Sequence, residues 1–202
     1  MAKQIEIHLL KKNDVEDNLS LIVPLLPKER IEKANRLFKQ DDRLLSLGGS
    51  YFIEKYTPST PLLISKEGRP YKRNCHFSIS HSGDYVIFAK ADNPIGVDIQ
   101  KFRHFKENLV SFTMSEEQVH RIKNPQDFFK MWSLKESLTK CIGRGLTGDF
   151  KTIVAKEGAY SYDGKKFYSS VKEKDDYSIA ITIETEIEFS IKLIEETITI
   201  FP

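Results

Sequence analysis

Cysteine is nearly absent from the 202 residues: Cys75 and Cys141 stand far apart and fit neither a zinc-ligand nor a C-x-x-C redox spacing. That excludes a disulfide framework, and both thiols are expected to be reduced in a cytoplasmic protein. Long hydrophobic runs are missing too. The stretch from Asn18 to Pro27 is too short and too proline-broken to span a bilayer. Met1 to Ile7 alternates like a strand, so no secretory leader is expected. Nor is there an excess of one charge: 31 Lys+Arg against 29 Asp+Glu give +2. A dedicated nucleic-acid binder would be strongly basic. What the chain has is apolar: 40% hydrophobic and 11% aromatic residues, enough to bury a core and to argue against disorder.

Along the chain, Ile5 to Leu10 reads as a strand. Leu26-Pro27 opens a helix over Lys28 to Lys39, with Ile31, Ala34 and Phe38 at i, i+3, i+7 on one buried face. A second helix spans Asp41 to Tyr56, with Asp41 or Asp42 as N-cap, and Thr57-Pro58 stops it. Strands follow at His76 to Gly83, Tyr85 to Ala91 and Ile95 to Ile99. Helical pattern returns from Asn108 to Cys141, broken at Asn124-Pro125 and ended by Gly143 and Gly145. Thr152 to Phe201 reads as successive strands, among them Tyr177 to Glu184, Ile187 to Glu195 and Thr197 to Phe201. Asp84-Tyr85-Val86-Ile87-Phe88-Ala89 is faintly echoed by Asp176-Tyr177-Ser178-Ile179-Ala180-Ile181, which suggests an internal duplication.

Three segments carry chemistry. In Trp132-Ser133-Leu134-Lys135-Glu136-Ser137-Leu138-Thr139-Lys140, a helix puts Met131, Leu134, Leu138 and Cys141 on the core stripe. Trp132, Glu136 and Lys140 then share the opposite face. An exposed Glu–Lys pair is the plain reading. Trp132 on a face that should be polar suggests instead a pocket, where a carboxylate and an amine suit phosphate and metal chemistry. Asp98 lies in an apolar strand between Val97 and Ile99. It either caps a turn or binds a cation such as Mg²⁺, since an unpaired buried carboxylate costs several kcal/mol. Ser80-His81-Ser82-Gly83 could cradle phosphate. It is no hydrolase dyad, because adjacent strand residues point apart and no Gly-x-Ser-x-Gly elbow exists. Arg30, Lys33 and Arg36 make a basic stripe that by itself is only a solvated face.

In order, Gly68-Arg69-Pro70, Phe77-Ser78-Ile79-Ser80-His81-Ser82-Gly83, Gly96-Val97-Asp98-Ile99 and Trp132 to Lys140 with Gly143 and Gly145-Leu146 resemble the 4'-phosphopantetheinyl transferases. The likeness is to the longer, surfactin-synthetase-activator type and covers roughly residues 68 to 146. It implies an α+β pseudo-dimer of two similar α/β halves, each a small antiparallel sheet packed with helices. Residues 1–100 would form the N-terminal half with the coenzyme A contacts. Residues 101–202 would form the C-terminal half, with the metal and base helix at 127–142. It implies a monomer that moves the phosphopantetheine arm of coenzyme A to a serine of an apo acyl or peptidyl carrier protein, with Mg²⁺ and with adenosine 3',5'-bisphosphate as the other product. By the same resemblance Asp98 and Glu136 bind metal, Glu136 acts as general base and Lys140 contacts the pyrophosphate. Arg30, Lys33, Ser46, Arg69, Pro70, Ser80 and His81 would hold coenzyme A.

One position departs from the pattern. Gln100 stands where many members have a glutamate, and could serve the metal only through its carbonyl oxygen or a water. Two other readings stand beside the transferase: a Mg²⁺-dependent phosphohydrolase using Asp98 and Glu136, and a non-catalytic coenzyme A-binding module. A pure binder has no need of a general base.

Overall fold

Alternating apolar residues build the first strand, β1 (Lys3–Lys11), whose Ile5, Ile7 and Leu9 share one buried face. The computed structural model describes residues 3–58, 61–65, 70–105, 107–144 and 148–201. After β1 come short helices α1 (Lys12–Asp17) and α2 (Leu19–Ile22), then α3 (Lys28–Asn35) and the long α4 (Gln40–Tyr56). A small ribbon of β2 (Leu63–Ile64) and β3 (Pro70–Tyr71) leads to β4 (His76–Ser82), β5 (Tyr85–Ala91) and β6 (Ile95–Lys101). Helices α5 (Glu107–Thr113), α6 (Glu116–Val119) and α7 (Pro125–Cys141) follow. Then come β7 (Gly158–Tyr162), β8 (Lys165–Lys174), β9 (Tyr177–Ile183) and β10 (Phe189–Glu195).

One sheet runs β10-β1-β5-β4 and another β6-β9-β8-β7. Their apolar faces meet: Ile5, Ile7, Leu9 and Ile87 pack with Val97, Ile99, Ile179 and Ile181 in one buried cluster. Each such side chain contributes roughly 1.5–3 kcal/mol of burial, so this seam fixes the two sheets against each other. On its other face the first sheet offers Leu10, Val86 and Phe88 to Leu44, Leu45 and Phe52 of α4. The second sheet carries α7 on its outer face. The result is four layers: helix, sheet, sheet, helix.

The halves repeat each other. β1, the 17-residue α4, β4 and β5 correspond to β6, the 17-residue α7, β8 and β9, with the same antiparallel pairings. Asp84 and Asp176, the leading residues of the sequence echo, occupy equivalent turns. The carbonyl of Asp84 accepts from Lys12 N at 2.7 Å, and that of Asp176 from Phe102 N at 2.7 Å. Tyr85 and Tyr177 meet edge to face across the seam, with centroids 5.2 Å apart. This is the α+β pseudo-dimer.

Several elements differ from expectation. A chain division at residue 100 runs through β6, whose backbone ladder is with β9 in the second sheet. β10 returns to the first sheet and pairs with β1 in parallel, so that sheet is not purely antiparallel. The first basic helix ends at Asn35, which leaves Phe38 in a connection and 96% exposed instead of buried. Lys39 stands at the N-cap of α4 without a side-chain cap. Asp41 lies in the first turn, its carboxylate 2.7 Å from Lys12 Nζ. Thr197 to Phe201 forms no strand: it crosses α4, where Tyr51 OH donates to Thr199 O at 3.0 Å and accepts from Thr199 N at 2.9 Å. Among the described residues neither cysteine is joined in a disulfide.

Candidate active site

Helix α7 is set by strong local signals. Asn124 caps it by accepting from Asp127 N at 2.8 Å, Pro125 opens the first turn, and Gly143 at φ 75° takes the left-handed position past its end. Gly145 and Leu146 lie outside the described residues. The helix is buried on almost every side. Leu138 and Cys141 face an apolar cluster, while Ser133, Lys135, Glu136, Ser137 and Thr139 are buried polar residues. Trp132 is not among the residues that line the cleft beside Lys140. It packs between Phe128 (5.7 Å) and Phe150 (5.2 Å), joining two aromatic clusters.

Where the sheets abut, edge strand β4 and edge strand β6 run side by side without a backbone ladder. Serines at every second position of β4 bridge the gap. Ser78 Oγ accepts from Val97 N at 3.0 Å, Ser80 Oγ donates to Asp98 Oδ1 at 2.7 Å, and Ser82 Oγ accepts from Lys101 N at 3.0 Å. Ser78 was not singled out in the sequence, and Ser82 only as part of a possible phosphate cradle, not as a bridge between strands. Their signal was there, an every-second-residue serine row on a strand with Ile79 and His81 between.

Asp98 is the centre of this junction. Only 2% exposed, its Oδ1 accepts from Ser80 Oγ and from Lys140 Nζ, each at 2.7 Å, and its Oδ2 accepts from Gln100 Nε2 at 2.9 Å. Lys140 Nζ also donates to Ser80 Oγ at 2.8 Å and Val97 O at 3.1 Å. Glu136, one turn before Lys140, is pushed up to about 7: burial disfavours its charge, Asp98 adds repulsion, and Lys140 only partly offsets both. Two carboxylates held close enough to repel suit a cation between them. Among the described residues no group of three or more His, Cys, Asp or Glu gathers as a metal cluster. A metal here would rest on Asp98, Glu136 and oxygen donors from elsewhere.

Beside the junction opens a cleft of about 310 Å³. Arg30, Lys33, Ser46, Pro70, His81 and Lys140 all line it. Ser80 is instead buried between Asp98 and Lys140, and Arg69 lies outside the described residues. Arg30 donates through Nε to Ser50 Oγ at 2.9 Å, but its Nη1 is buried with no partner among the described residues. Burial lowers the Arg30 guanidinium, and partial burial followed by Arg30 itself lowers Lys33. Glu54 opposes the lowering of Arg30 only in part, so the two adjacent cations favour an anion in the cleft. Desolvation and then Lys140 also lower His81, which favours its neutral form although the side chain borders open space. Lys72 is only 4% exposed and donates to Thr57 O, whereas Arg73 stays exposed.

Residues 94–182 match the family model of the 4'-phosphopantetheinyl transferase superfamily. The 4'-phosphopantetheinyl transferase Sfp of Bacillus subtilis (strain 168) is 30% identical over 155 residues, covering 68% of this chain and 67% of that protein. The chain belongs to the 4'-phosphopantetheinyl transferase superfamily. Among other relatives, the 4'-phosphopantetheinyl transferase gsp of Aneurinibacillus migulanus is 31% identical over 137 residues, 59% of this chain and 56% of its own length. The 4'-phosphopantetheinyl transferase ffp of Bacillus subtilis is 29% identical over 152 residues, 65% of this chain and 66% of its own. The chain thus spans between somewhat over half and two thirds of these relatives. The stretch matching the superfamily contains β6, α7 and most of β9, and so Asp98, Glu136 and Lys140. The cleft residues Arg30, Lys33, Ser46 and His81 precede it.

Proposed function

We propose that this superfamily member transfers the 4'-phosphopantetheine group of coenzyme A to a serine of an apo acyl or peptidyl carrier protein. The observation that carries the reading is the buried Arg30 Nη1, without a partner among the described residues, beside Lys33 in a cleft that Lys140 also lines. A cation-rich cleft leading to two repelling carboxylates matches a donor that is itself a phosphorylated pyrophosphate. Arg30, Lys33 and Ser46 would hold its phosphates at one end, with Pro70 and His81 alongside. Arg69, next to Pro70 in the sequence, would join them.

At the other end, Lys140 donates toward the leaving phosphate and Glu136 takes the proton from the carrier serine Oγ. A carboxyl held near 7 is suited to accept a proton at neutral pH. Ser80 steadies Asp98 and Lys140. Asp98 and Glu136, with Gln100 beside them, would hold Mg²⁺, which when bound neutralises pyrophosphate charge. Residues 1–100 would supply the coenzyme A contacts and 101–202 the base-bearing helix. Because one chain carries both halves, a monomer suffices. Its free thiols suit the cytoplasm.

Incubation with several apo carriers, coenzyme A and Mg²⁺ should add about 340 Da to the carrier, the mass of the group carried by coenzyme A. Coenzyme A should stay intact without a carrier, whereas a hydrolase would cleave it and a mere binder would do neither. Glu136→Gln and Asp98→Ala should each lower turnover by at least ~10²-fold. Absence of transfer to every carrier tried would sink the reading.

A further inference from the structure

Between α7 and the second sheet the contact is polar where an apolar seam would be usual. β9 alternates Ser178, Ala180 and Thr182 toward the helix, with Ile179 and Ile181 toward the inter-sheet core. Ser133 and Ser178 hydroxyls lie 2.7 Å apart, as do those of Ser137 and Thr182 and those of Thr182 and Ser169; Tyr160 OH is 2.9 Å from Ser169 Oγ. All but Tyr160 are buried to 1% exposure or less.

Each hydroxyl has one proton, so the direction of this chain is forced. Ser137 Oγ spends its proton on Leu134 O at 2.8 Å. Thr182 therefore donates to Ser137, Ser169 to Thr182, and Tyr160 to Ser169. Burial raises the Tyr160 phenol, which keeps the first donor protonated. In the same way Ser133 donates to Lys130 O at 3.0 Å, so Ser178 donates to Ser133.

Apolar contact is non-directional and tolerates sliding, whereas hydrogen bonds of this length fix register. Depth is fixed as well. A Cβ on Gly96 of β6 would collide with Ser137 O and Cys141 N, so only glycine lets α7 come this close. Gly96 is two residues from Asp98, and Ser137 follows Glu136.

We propose that Thr182, the hub that bonds both Ser137 and Ser169, is a positioning residue that sets the register of α7 and thereby places Glu136 and Lys140 against Asp98. This rests on the transferase reading for its activity readout but not for its geometry. Thr182→Val keeps shape and loses the hydroxyl, and Thr182→Ser keeps the hydroxyl. With apo carrier, coenzyme A and Mg²⁺, Thr182→Val should lose about 10²-fold in kcat, the scale of a small misplacement of reacting groups. Its KM for coenzyme A should change much less than kcat, because Arg30 and Lys33 lie in the other half and only Lys140 of these cleft cations rides on α7. Thr182→Ser should restore most of the loss.

A second readout is independent of transfer. Cys141 Sγ, at the end of α7, donates to Pro94 O at 3.1 Å and is 6% exposed. In a Cys75→Ser background, a thiol reagent should modify Cys141 faster in Thr182→Val than in Thr182→Ser or the parent. If the parent transfers nothing, the transferase reading fails while the thiol rates still test the positioning role. Equal thiol rates, or kcat loss that Thr182→Ser does not rescue, would overturn the proposal.

Discussion

Lys140 Nζ sits 2.7 Å from Asp98 Oδ1, joining α7 to β6 by a pair in which the aspartate is 2% exposed and the lysine 25%. Removing one partner of such a pair leaves the other charge buried, which costs more than the pair itself contributes. Lys140→Ala should destabilise the protein by about 3 kcal/mol in urea unfolding. Adding Asp98→Asn should recover part of that loss, a coupling that a double-mutant cycle measures. A Lys140→Ala protein as stable as wild type would mean that the pair does not hold the junction.

Lys135 is fully buried, and among the described residues its Nζ donates to neutral oxygens: Thr113 O at 2.6 Å, Gln118 Oε1 at 2.9 Å and Lys151 O at 3.3 Å. Burial brings its pKa down to about 8 from 10.5. Between those values the unfolded chain holds a proton that the folded one has lost, so this lysine makes stability rise with pH. Subtracting the stability of Lys135→Met from wild type across pH 8 to 10.5 should give a positive slope. A flat difference would show that the ammonium is not desolvated. Hydrogen exchange in Lys135→Met should also quicken at residues 113–118 and 150–153, the segments it ties to α7.

Glu196 fastens the segment after β10 to α4 and β1. Burial would raise its carboxyl, but hydrogen bonds from Lys55 (2.8 Å), Tyr56 (2.5 Å) and His8 (2.6 Å) outweigh that and hold it below its ordinary 4.5. A depressed carboxyl contributes stability above its unfolded pKa and loses it as pH falls through the folded one. Carboxypeptidase should therefore trim residues past 196 faster below pH 4.5, and Glu196→Gln should be trimmed quickly already at neutral pH. Equal trimming of both proteins at neutral pH would remove Glu196 from this role.

How much was legible varied with the kind of signal. Strands β1, β4, β5 and β9 follow from alternation, and α7 from its cap, proline and glycine. Asp98 stood out because a carboxylate between Val97 and Ile99 needs a partner, and it has Lys140, Ser80 and Gln100. What periodicity missed was set by contacts distant in sequence. Phe38 fits a helical stripe, but its helix stops at Asn35. Thr197 to Phe201 alternates like a strand, yet Tyr51 and Glu196 bind that region to α4. On α7 the apolar stripe was visible, but nothing in the periodicity marked Ser133, Lys135 and Ser137 as buried, because β9 and the α5–α6 segment that cover them lie elsewhere in the chain.

Gln100 offers the sharpest test of the metal reading. Its Nε2 donates to Asp98 Oδ2 at 2.9 Å, as two residues sharing a strand face can. With Ser80 and Lys140 on Oδ1, both oxygens of Asp98 are engaged, so a cation binding there competes with a hydrogen bond. Gln100→Glu removes that competing donor and adds a third carboxylate. Without metal, the added charge repels Asp98 and Glu136, and at least one of the carboxyl groups must shift upward. With metal, the same charge is favourable. Mg²⁺ affinity should therefore rise in Gln100→Glu, both with and without coenzyme A, while turnover at saturating Mg²⁺ changes little. In wild type, affinity for Mg²⁺ alone should be weak and should increase when coenzyme A brings further oxygen donors. Calorimetric titration of Mg²⁺ into both proteins, each with and without coenzyme A, measures all of this. Equal affinity in the two proteins would mean that the cation is not held at Asp98, and the metal assignment of Asp98 and Glu136 would have to be given up.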